Sequence, residues 1–208
     1  MVRRKRSTVQ ENVRSPGALP IVCRIDASAQ KRILAMSSQR RIDVNTNRTP
    51  SEWPALVAWG VLVFVAAAAG TVASLDAASF YETLERPQWA PPSSWFGPVW
   101  TVLYAAMAVA AWLVWRERHR PGTKFALWLF VIQLALNALW SWLFFAWRQG
   151  ALAFADIVLL CLLVAATVLA FWRVRPLAGA LLVPYLAWIL FASALNYTVW
   201  QSNPSLLG

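Results

Sequence analysis

Five long apolar runs follow one another along the chain from residue 53 onward. They cover residues 53–75, 95–115, 125–147, 151–172 and 177–199. Each is close to the ~20 residues that a helix needs to cross the hydrocarbon core of a bilayer. Because the connections after the first loop are short, consecutive helices are expected to pack antiparallel. The pattern therefore predicts an all-α membrane protein, a bundle of five transmembrane helices.

The first 50 residues show no such pattern. They are rich in Arg, Ser, Asn and Gln, and they lack the apolar surface needed to offset the entropy of the chain. We therefore predict a disordered basic tail over residues 1–50 and a membrane domain over 51–208. No apolar segment follows MVRRKR, so no secretory signal is expected. A mitochondrial transit peptide stays open as an alternative, and so does a true start of translation at Met36.

A segment rich in proline and tryptophan separates the first two apolar runs. It reads RPQWAPPSSWFGPVWTVLY over residues 86–104. Proline fixes φ and disfavours the helical conformation of the residue before it, so residues 86–92 are expected to be extended and stiff. Pro98 falls within the first turn or two of the next helix, where a missing N–H costs least. The segment is therefore predicted to form a rigid lid over the mouth of the bundle.

The composition agrees with a membrane protein. Hydrophobic residues make up 59% of the chain and charged residues only 13%, against roughly 45–50% and about 25% in soluble domains. The net charge of +10 is concentrated in residues 1–50, which carry eleven Lys and Arg against three acidic residues. A basic tail beside membrane spans follows orientation rules or contacts anionic lipid headgroups. We expect contact with the lipid bilayer and no nucleic-acid partner.

Basic residues are unevenly divided between the two sides of the predicted bundle. One side has Arg40, Arg41, Arg48, Arg116, Arg118, Arg120, Lys124, Arg173 and Arg175. The other side has only Arg86 and Arg148. By the positive-inside rule, the N-terminus is cytoplasmic, and the proline-tryptophan segment and the C-terminus face outward. A bacterial cell membrane is the expected location.

The residues that metal sites and common enzymes use are scarce here. Cys23 and Cys161 form no CxxC pair, and the only histidine, His119, lies in a basic loop. Zinc sites and Ser-His-Asp triads require combinations that this chain does not offer. We therefore expect no metal site, no obligatory cofactor and no hydrolytic or conventional redox activity.

Polar and aromatic residues share helical faces within three of the apolar runs. The residues are Trp100 and Tyr104 in the second run, Gln133, Asn137, Trp140 and Ser141 in the third, and Tyr185, Trp188, Ala192, Leu195 and Asn196 in the fifth. Their spacing places each group on one side of its helix. Aromatic rings stack on flat ligands and amides fix orientation, so the faces predict a pocket for a flat, largely apolar ligand with a polar edge. Alternatively, the amides only tie the helices together.

Two further residues within the runs carry expectations of their own. Asp156 is expected in the first turn of the fourth helix, where it favours the helix N-terminus or reaches the membrane interface. A proton-relay role is the alternative for this carboxyl group. Pro184 is expected to kink the fifth helix and open space near Trp188.

Three separated motifs resemble the TspO family. They read RPQWAPPSSWFGPVWTVLYAAM, QLALNALWSWLFF and VPYLAWILFASALN, and the resemblance covers about residues 53–200. Members are called tryptophan-rich sensory proteins in bacteria, and translocator protein or peripheral benzodiazepine receptor in animals. The resemblance implies a five-helix membrane bundle, commonly a homodimer, that binds porphyrins and other tetrapyrroles. Animal members also bind cholesterol and synthetic isoquinoline or benzodiazepine ligands.

The resemblance also implies a ligand pocket. By motif it falls on Trp89, Trp100, Asn137, Trp188, Ala192 and Leu195. The complete predicted set adds Trp95, Tyr104, Gln133, Trp140, Tyr185 and Asn196. Trp100 and Trp188 resemble the tryptophans implicated in light-dependent porphyrin breakdown by some bacterial members. The cholesterol motif is incomplete, because no basic residue follows Leu195 and Tyr197, which makes sterol transport the less expected activity.

Together these observations predict a tetrapyrrole-binding membrane protein that serves transport, sequestration or stress sensing. The partners expected are a porphyrin or haem-type ligand and a second copy of the chain, with the ligand entering beneath residues 86–95. Three alternatives stay open. They are light-dependent porphyrin degradation by Trp100 and Trp188, regulation of another membrane protein, and sterol or lipid binding.

Overall fold

The chain divides into two units, Met1–Pro50 and Ser51–Gly208. A computed structural model describes residues 28, 30–32, 34–36 and 52–208. In the first unit the described residues are helical and exposed, and Met36 is among them. The rest of the predicted disordered tail lies outside the described residues, and a start of translation at Met36 stays a prediction.

Five helices of the second unit are long and apolar enough to cross a membrane. Numbered in chain order from Trp53, they are α1 (Trp53–Ala73), α3 (Phe96–Arg116), α4 (Thr123–Ser141), α5 (Gly150–Val174) and α6 (Pro176–Ser202). A 3₁₀ turn at Ser93–Trp95 precedes α3, and a π-helical turn at Trp142–Ala146 continues α4. The predicted all-α bundle of five transmembrane helices is confirmed.

The five spans form a closed ring in which α1 packs against α3, α3 against α6, α6 against α5, α5 against α4, and α4 against α1. We call the end where α1 begins the tail end, and the end that carries the proline-tryptophan segment the loop end. One buried apolar cluster, around Met107, Phe130 and Phe171, fills the centre of the bundle. A second cluster, around Phe80 and Leu195, includes residues of the loop that joins α1 to α3.

Two short helices at the loop end were not predicted. They are α2 (Ala77–Thr83), which lies between α1 and α3, and α7 (Pro204–Leu207), which follows α6. Phe80 and Tyr81 of α2 are buried, and so is Leu207 of α7. Helices of this length gain little from propensity, so their stability comes from tertiary packing. A pattern read along the sequence therefore gives little sign of them.

The expected extended conformation of residues 86–92 is wrong at Gln88 and Trp89. These two residues form a turn, which is closed by a hydrogen bond of 2.9 Å from the N–H of Ala90 to the carbonyl of Pro87. Proline restricts only its own φ and the residue before it. Gln88 and Trp89 precede no proline, so the backbone is free to turn between Pro87 and Ala90.

Candidate ligand-binding site

A cavity of about 760 Å³ lies in the loop-end half of the bundle. This volume is within the range of small-molecule sites, about 300–1,000 Å³. All five spans and α2 contribute to its wall. Among the described residues, no charged side chain is part of the wall. The cavity therefore suits a ligand whose buried part is uncharged.

Eight of the twelve predicted ligand-binding residues line this cavity. They are Trp100, Tyr104, Asn137, Trp140, Trp188, Ala192, Leu195 and Asn196. They come from α3, α4 and α6, the three helices whose polar and aromatic faces were singled out in the sequence. The bundle brings these faces together, while ligand binding by these residues stays a prediction.

Gln133 and Tyr185 lie behind the cavity wall rather than in it. Each is only 1% exposed. The Tyr185 hydroxyl donates to Oε1 of Gln133 at 2.9 Å and accepts from Nδ2 of Asn137 at 3.2 Å. Each lies one turn from a wall residue on its own helix, towards the middle of the bundle. Their position makes them supports for Asn137 rather than direct contacts for a ligand.

Trp89 and Trp95 do not line the cavity. Their side chains are 49% and 61% exposed. Trp89 packs edge-on against Phe191 of α6, with ring centroids 5.7 Å apart. An irregular, proline-rich segment has no fixed period, so its sequence could not show which side chains point inward.

A chain of hydrogen bonds joins the cavity wall to the core. Tyr104 on α3 donates to Oδ1 of Asn137 on α4 at 2.7 Å, and Asn137 continues the chain to Tyr185 on α6. Trp140 separately donates to Oδ1 of Asn196 at 2.9 Å. The two asparagines therefore tie helices together and also line the cavity. Their placement agrees both with a role in a pocket and with a role in holding the helices together.

Two aromatic residues of the wall have unused hydrogen-bond donors. In the part of the chain that the structure describes, the indole N–H groups of Trp100 and Trp188 donate no hydrogen bond within the protein, whereas that of Trp140 does. The ring of Trp100 stacks on Tyr104, with centroids 5.2 Å apart and an interplanar angle of 30°. Phe96 packs edge-on against Trp188 at 5.9 Å. The wall thus offers flat surfaces together with donors for polar groups of a ligand.

The wall contributed by α1 was missed in the sequence. Gly60, Val63, Ala67 and Gly70 of this helix line the cavity, and so does Ser74, which follows it. Apart from Val63 they are small, and they recur at spacings of three, four or seven residues, which is the signal that could have revealed this face. Sequence reasoning also missed five aromatic residues of the wall. They are Phe64, Tyr81, Phe96, Phe144 and Phe145.

The segment between α2 and α3 is fastened to its surroundings. Asn203, which follows α6, accepts from the N–H of Glu85 at 2.8 Å and donates to its carbonyl at 2.9 Å. Tyr81 donates to the carbonyl of Pro91 at 3.3 Å, and the Arg86 guanidinium lies 4.7 Å from the centre of its ring. Burial raises the pKa of the Tyr81 phenol, and Arg86 offsets part of that rise. Tyr81 therefore stays protonated and remains a donor at neutral pH.

Asp156 does not lie where it was predicted. Because α5 begins at Gly150, Asp156 is its seventh residue and belongs to the second turn, beyond the reach of the helix N-terminus. Its side chain is 8% exposed, and Oδ2 has no hydrogen-bond partner among the described residues. No group of three His, Cys, Asp or Glu residues that could hold a metal ion occurs within residues 52–208. A proton-relay role for Asp156 stays a prediction.

Fold and cavity together define a class, the multi-pass α-helical membrane proteins with an internal cavity lined by aromatic residues. A comparison with protein families makes the assignment specific. Residues 48–201 match the model of the TspO/MBR family. The chain therefore belongs to this family, and the resemblance stated from its motifs is confirmed.

Relatives occur in animals and bacteria. The chain is 44% identical to the human "Translocator protein" over 126 residues, which is 60% of this chain and 75% of the human one. It is 41% identical to "Tryptophan-rich protein TspO" of Chlorobaculum tepidum over 149 residues, which is 70% of this chain and 92% of that protein. It is 37% identical to "Protein CrtK" of Rhodobacter capsulatus over 145 residues, covering 68% and 89%.

Proposed function

We propose that this protein binds a tetrapyrrole, such as a porphyrin, in the loop-end cavity and thereby serves transport, sequestration or stress sensing. The observation that carries the proposal is that one cavity combines a suitable volume with aromatic side chains that have hydrogen-bond donors. Its volume is about 760 Å³, and Trp100 and Trp188 in its wall have free indole N–H groups. Rings of this size offer large flat surfaces to a macrocycle, and their N–H groups suit polar atoms at its edge.

The distribution of charge supports a ligand that is apolar in the middle and polar at one edge. The described cavity wall carries no charged side chain, so an ionised substituent buried there would pay a large desolvation cost. At the loop end, the guanidinium of Arg86 lies over the ring of Tyr81, which is itself a wall residue. A planar ligand with acidic substituents would therefore place its ring among the indoles and its acidic edge towards Arg86.

The orientation in the membrane is part of the same proposal. At the tail end, Arg116 pairs with Glu52 at 2.6 Å and Arg175 pairs with Glu117 at 3.1 Å. Arg120 at this end donates to the carbonyl of Val174 at 2.7 Å. Basic residues thus gather at the end opposite the proline-tryptophan segment, which favours a cytoplasmic tail end. A bacterial cell membrane and a homodimer stay predictions.

A porphyrin titration in detergent, followed by quenching of tryptophan fluorescence, tests the proposal. We expect saturable quenching by the unmodified protein. Combining Trp100→Phe with Trp188→Phe should weaken binding by about tenfold or more, because aromatic pairs contribute roughly 0.5–1.5 kcal/mol each beyond their buried area. Trp172→Phe is the matched control, since Trp172 is 49% exposed and lies outside the cavity wall.

Two outcomes would count against the proposal. One is quenching that never saturates. The other is an equal loss of affinity in the control and in the double variant. Illumination of the complex tests the enzymatic alternative in the same samples. A new product that forms only with both Trp100 and Trp188 intact would favour light-dependent degradation, whereas bleaching that matches free porphyrin would not.

A further inference from the structure

We propose that the ligand enters the cavity sideways from the bilayer, through a fissure between the loop-end halves of α1 and α3. The sequence had predicted entry beneath residues 86–95. The inference rests on the proposed function, in that the ligand is taken to be a planar amphiphile that dissolves in the membrane. It adds a route to that function and a set of residues that control the rate of binding.

Several residues belong both to the cavity wall and to the outer surface of the bundle. Phe64 of α1 lines the cavity, yet 70% of its side-chain surface is exposed. Thr101 and Ala105 of α3 also line the cavity and are exposed. A side chain can do both only where the cavity reaches the surface. Because α1 and α3 are membrane spans, the opening between them faces lipid.

The α3 side of the fissure leaves room for a ligand to pass. Gly97 lines the cavity, and a Cβ added there would meet no heavy atom within 4 Å. Gly97, Thr101 and Ala105 recur at intervals of four residues, so α3 presents a continuous stripe of small side chains to the fissure. The empty space is therefore flanked by side chains that do not fill it.

The threonine hydroxyl groups beside the fissure do not make it polar. Thr101 donates to the carbonyl of Gly97 at 2.9 Å, and Thr71 on α1 donates to the carbonyl of Ala67 at 2.9 Å. Both hydroxyl groups are thus satisfied by their own helices. An amphiphile that passes between them therefore leaves no additional polar group of the protein unpaired. An unpaired polar group would be the main free-energy cost of passage through an apolar region.

The contacts between α1 and α3 lie at the other end of these helices. At the tail end, Arg116 pairs with Glu52, and the indole N–H of Trp112 donates to the carbonyl of Glu52 at 3.3 Å. Within residues 52–208, no hydrogen bond or ion pair joins the loop-end halves of the two helices. The pair is therefore held by polar contacts at the tail end and by side-chain packing alone at the loop end.

Entry beneath the proline-tryptophan segment meets more resistance. Asn203 holds the backbone of Glu85 through two hydrogen bonds, and Tyr81 holds Pro91 through a third. The ring of Trp89 packs against Phe191 as well. Lifting this segment would break all of these contacts, whereas passage between the loop-end halves of α1 and α3 breaks none of the hydrogen bonds or ion pairs of the described residues.

Leucine substitutions at Gly97 and Ala105, which are exposed on the α3 side of the fissure, test the route. In lipid nanodiscs, the Gly97→Leu and Ala105→Leu double variant should bind and release porphyrin at least about tenfold more slowly in stopped-flow quenching. A blocked route raises the barrier in both directions, whereas a wall that fits the ligand less well speeds its release. Ala58→Leu is the matched control, because Ala58 is exposed on α1 and is not part of the cavity wall. Unchanged rates in the double variant would overturn the inference, and so would a loss of affinity with an unchanged binding rate.

A second measurement needs no porphyrin. A small aryl diazirine that partitions into the bilayer should label Ile157 and Leu160 on photolysis, although these side chains are only 2% and 1% exposed. Both line the cavity from α5, and their labelling should fall severalfold in the Gly97→Leu and Ala105→Leu double variant but not in Ala58→Leu. Absence of label at these residues in the unmodified protein overturns the inference even where porphyrin binds. Labelling as expected without porphyrin binding upholds the route and rejects the proposed ligand.

Discussion

The hydroxyl of Tyr104 donates a hydrogen bond of 2.7 Å to the side-chain carbonyl of Asn137, and both residues line the cavity. This bond joins α3 to α4 at membrane depth. The Nδ2 of Asn137 then reaches Tyr185 on α6, whose hydroxyl ends on Gln133. The shape of the cavity wall therefore depends on the same four side chains that hold three helices together, so changes to them affect binding and stability at once.

A double-mutant cycle on Tyr104→Phe and Asn137→Leu measures how much the bond between these residues contributes to stability. We expect a coupling energy of about 0.5–2 kcal/mol in unfolding, since hydrogen bonds between transmembrane helices have strengths of that order. Unfolding in detergent, followed by circular dichroism, gives the four stabilities. Additive effects of the two substitutions would show that the bond contributes no stability of its own.

Gly150 is the first residue of α5, and it lies against the C-terminal segment of the chain. A Cβ at this position would clash with Cδ1 of Trp200 and lie 3.0 Å from Cβ of Leu207. Trp200 is held in place by a hydrogen bond of 3.0 Å to the carbonyl of Gly208. Gly150→Ala should therefore destabilise the protein by about 1–3 kcal/mol, as overpacking commonly does.

The control for this substitution is Gly60→Ala. An added Cβ at Gly60 meets nothing within 4 Å, and alanine is the better helix former by about 1 kcal/mol. The melting temperature should fall for Gly150→Ala and stay level or rise for Gly60→Ala. A similar fall in both variants would mean that the steric conflict at Trp200 is not the cause.

Asn203 is expected to govern the opening of the proline-tryptophan segment. Asn203→Ala removes two hydrogen bonds to the backbone of Glu85, which are worth about 1–3 kcal/mol together. Amide hydrogen exchange in this segment should therefore accelerate by roughly 5- to 150-fold, with the N–H of Glu85 as the most direct reporter. Ser94→Ala, an exposed change in the same segment, should leave exchange unaltered.

The membrane spans could be predicted because long apolar runs are the strongest signal that a sequence carries. The predicted run over residues 53–75 corresponds to α1 at Trp53–Ala73, and the run over 177–199 corresponds to α6 at Pro176–Ser202. The short helix α2 was not predicted, because the stability of its seven residues depends on the burial of Phe80 and Tyr81. Burial of that kind depends on contacts between distant parts of the chain, and local sequence does not report it.

The cavity could be predicted only where its wall contrasts with lipid-facing surface. Asn137 and Asn196 stand out within apolar runs, because a polar residue at membrane depth is costly unless it faces the interior. The wall from α1 gives no such contrast, since Ala67 and Gly70 resemble any other small residue in a span. Trp95 was placed in the site for its ring alone, and the structure leaves it 61% exposed.

The side-chain amide of Gln133 is buried, and within the described residues only its oxygen is hydrogen-bonded. Its side chain is 1% exposed, its Oε1 accepts from Tyr185, and its Nε2 has no hydrogen-bond partner among the described residues. Gln133→Met keeps the volume and removes both the accepted bond and the unpaired donor. The substitution leaves the buried Tyr185 hydroxyl without its acceptor, so one unpaired donor replaces another, and the loss of unfolding free energy should be that of about one hydrogen bond, roughly 0.5–1.5 kcal/mol. Asn137→Leu should cost more than this, since Asn137 uses both its amide and its carbonyl group. A loss above about 2 kcal/mol for Gln133→Met would show that Nε2 is hydrogen-bonded in the membrane, with a buried water as the simplest partner.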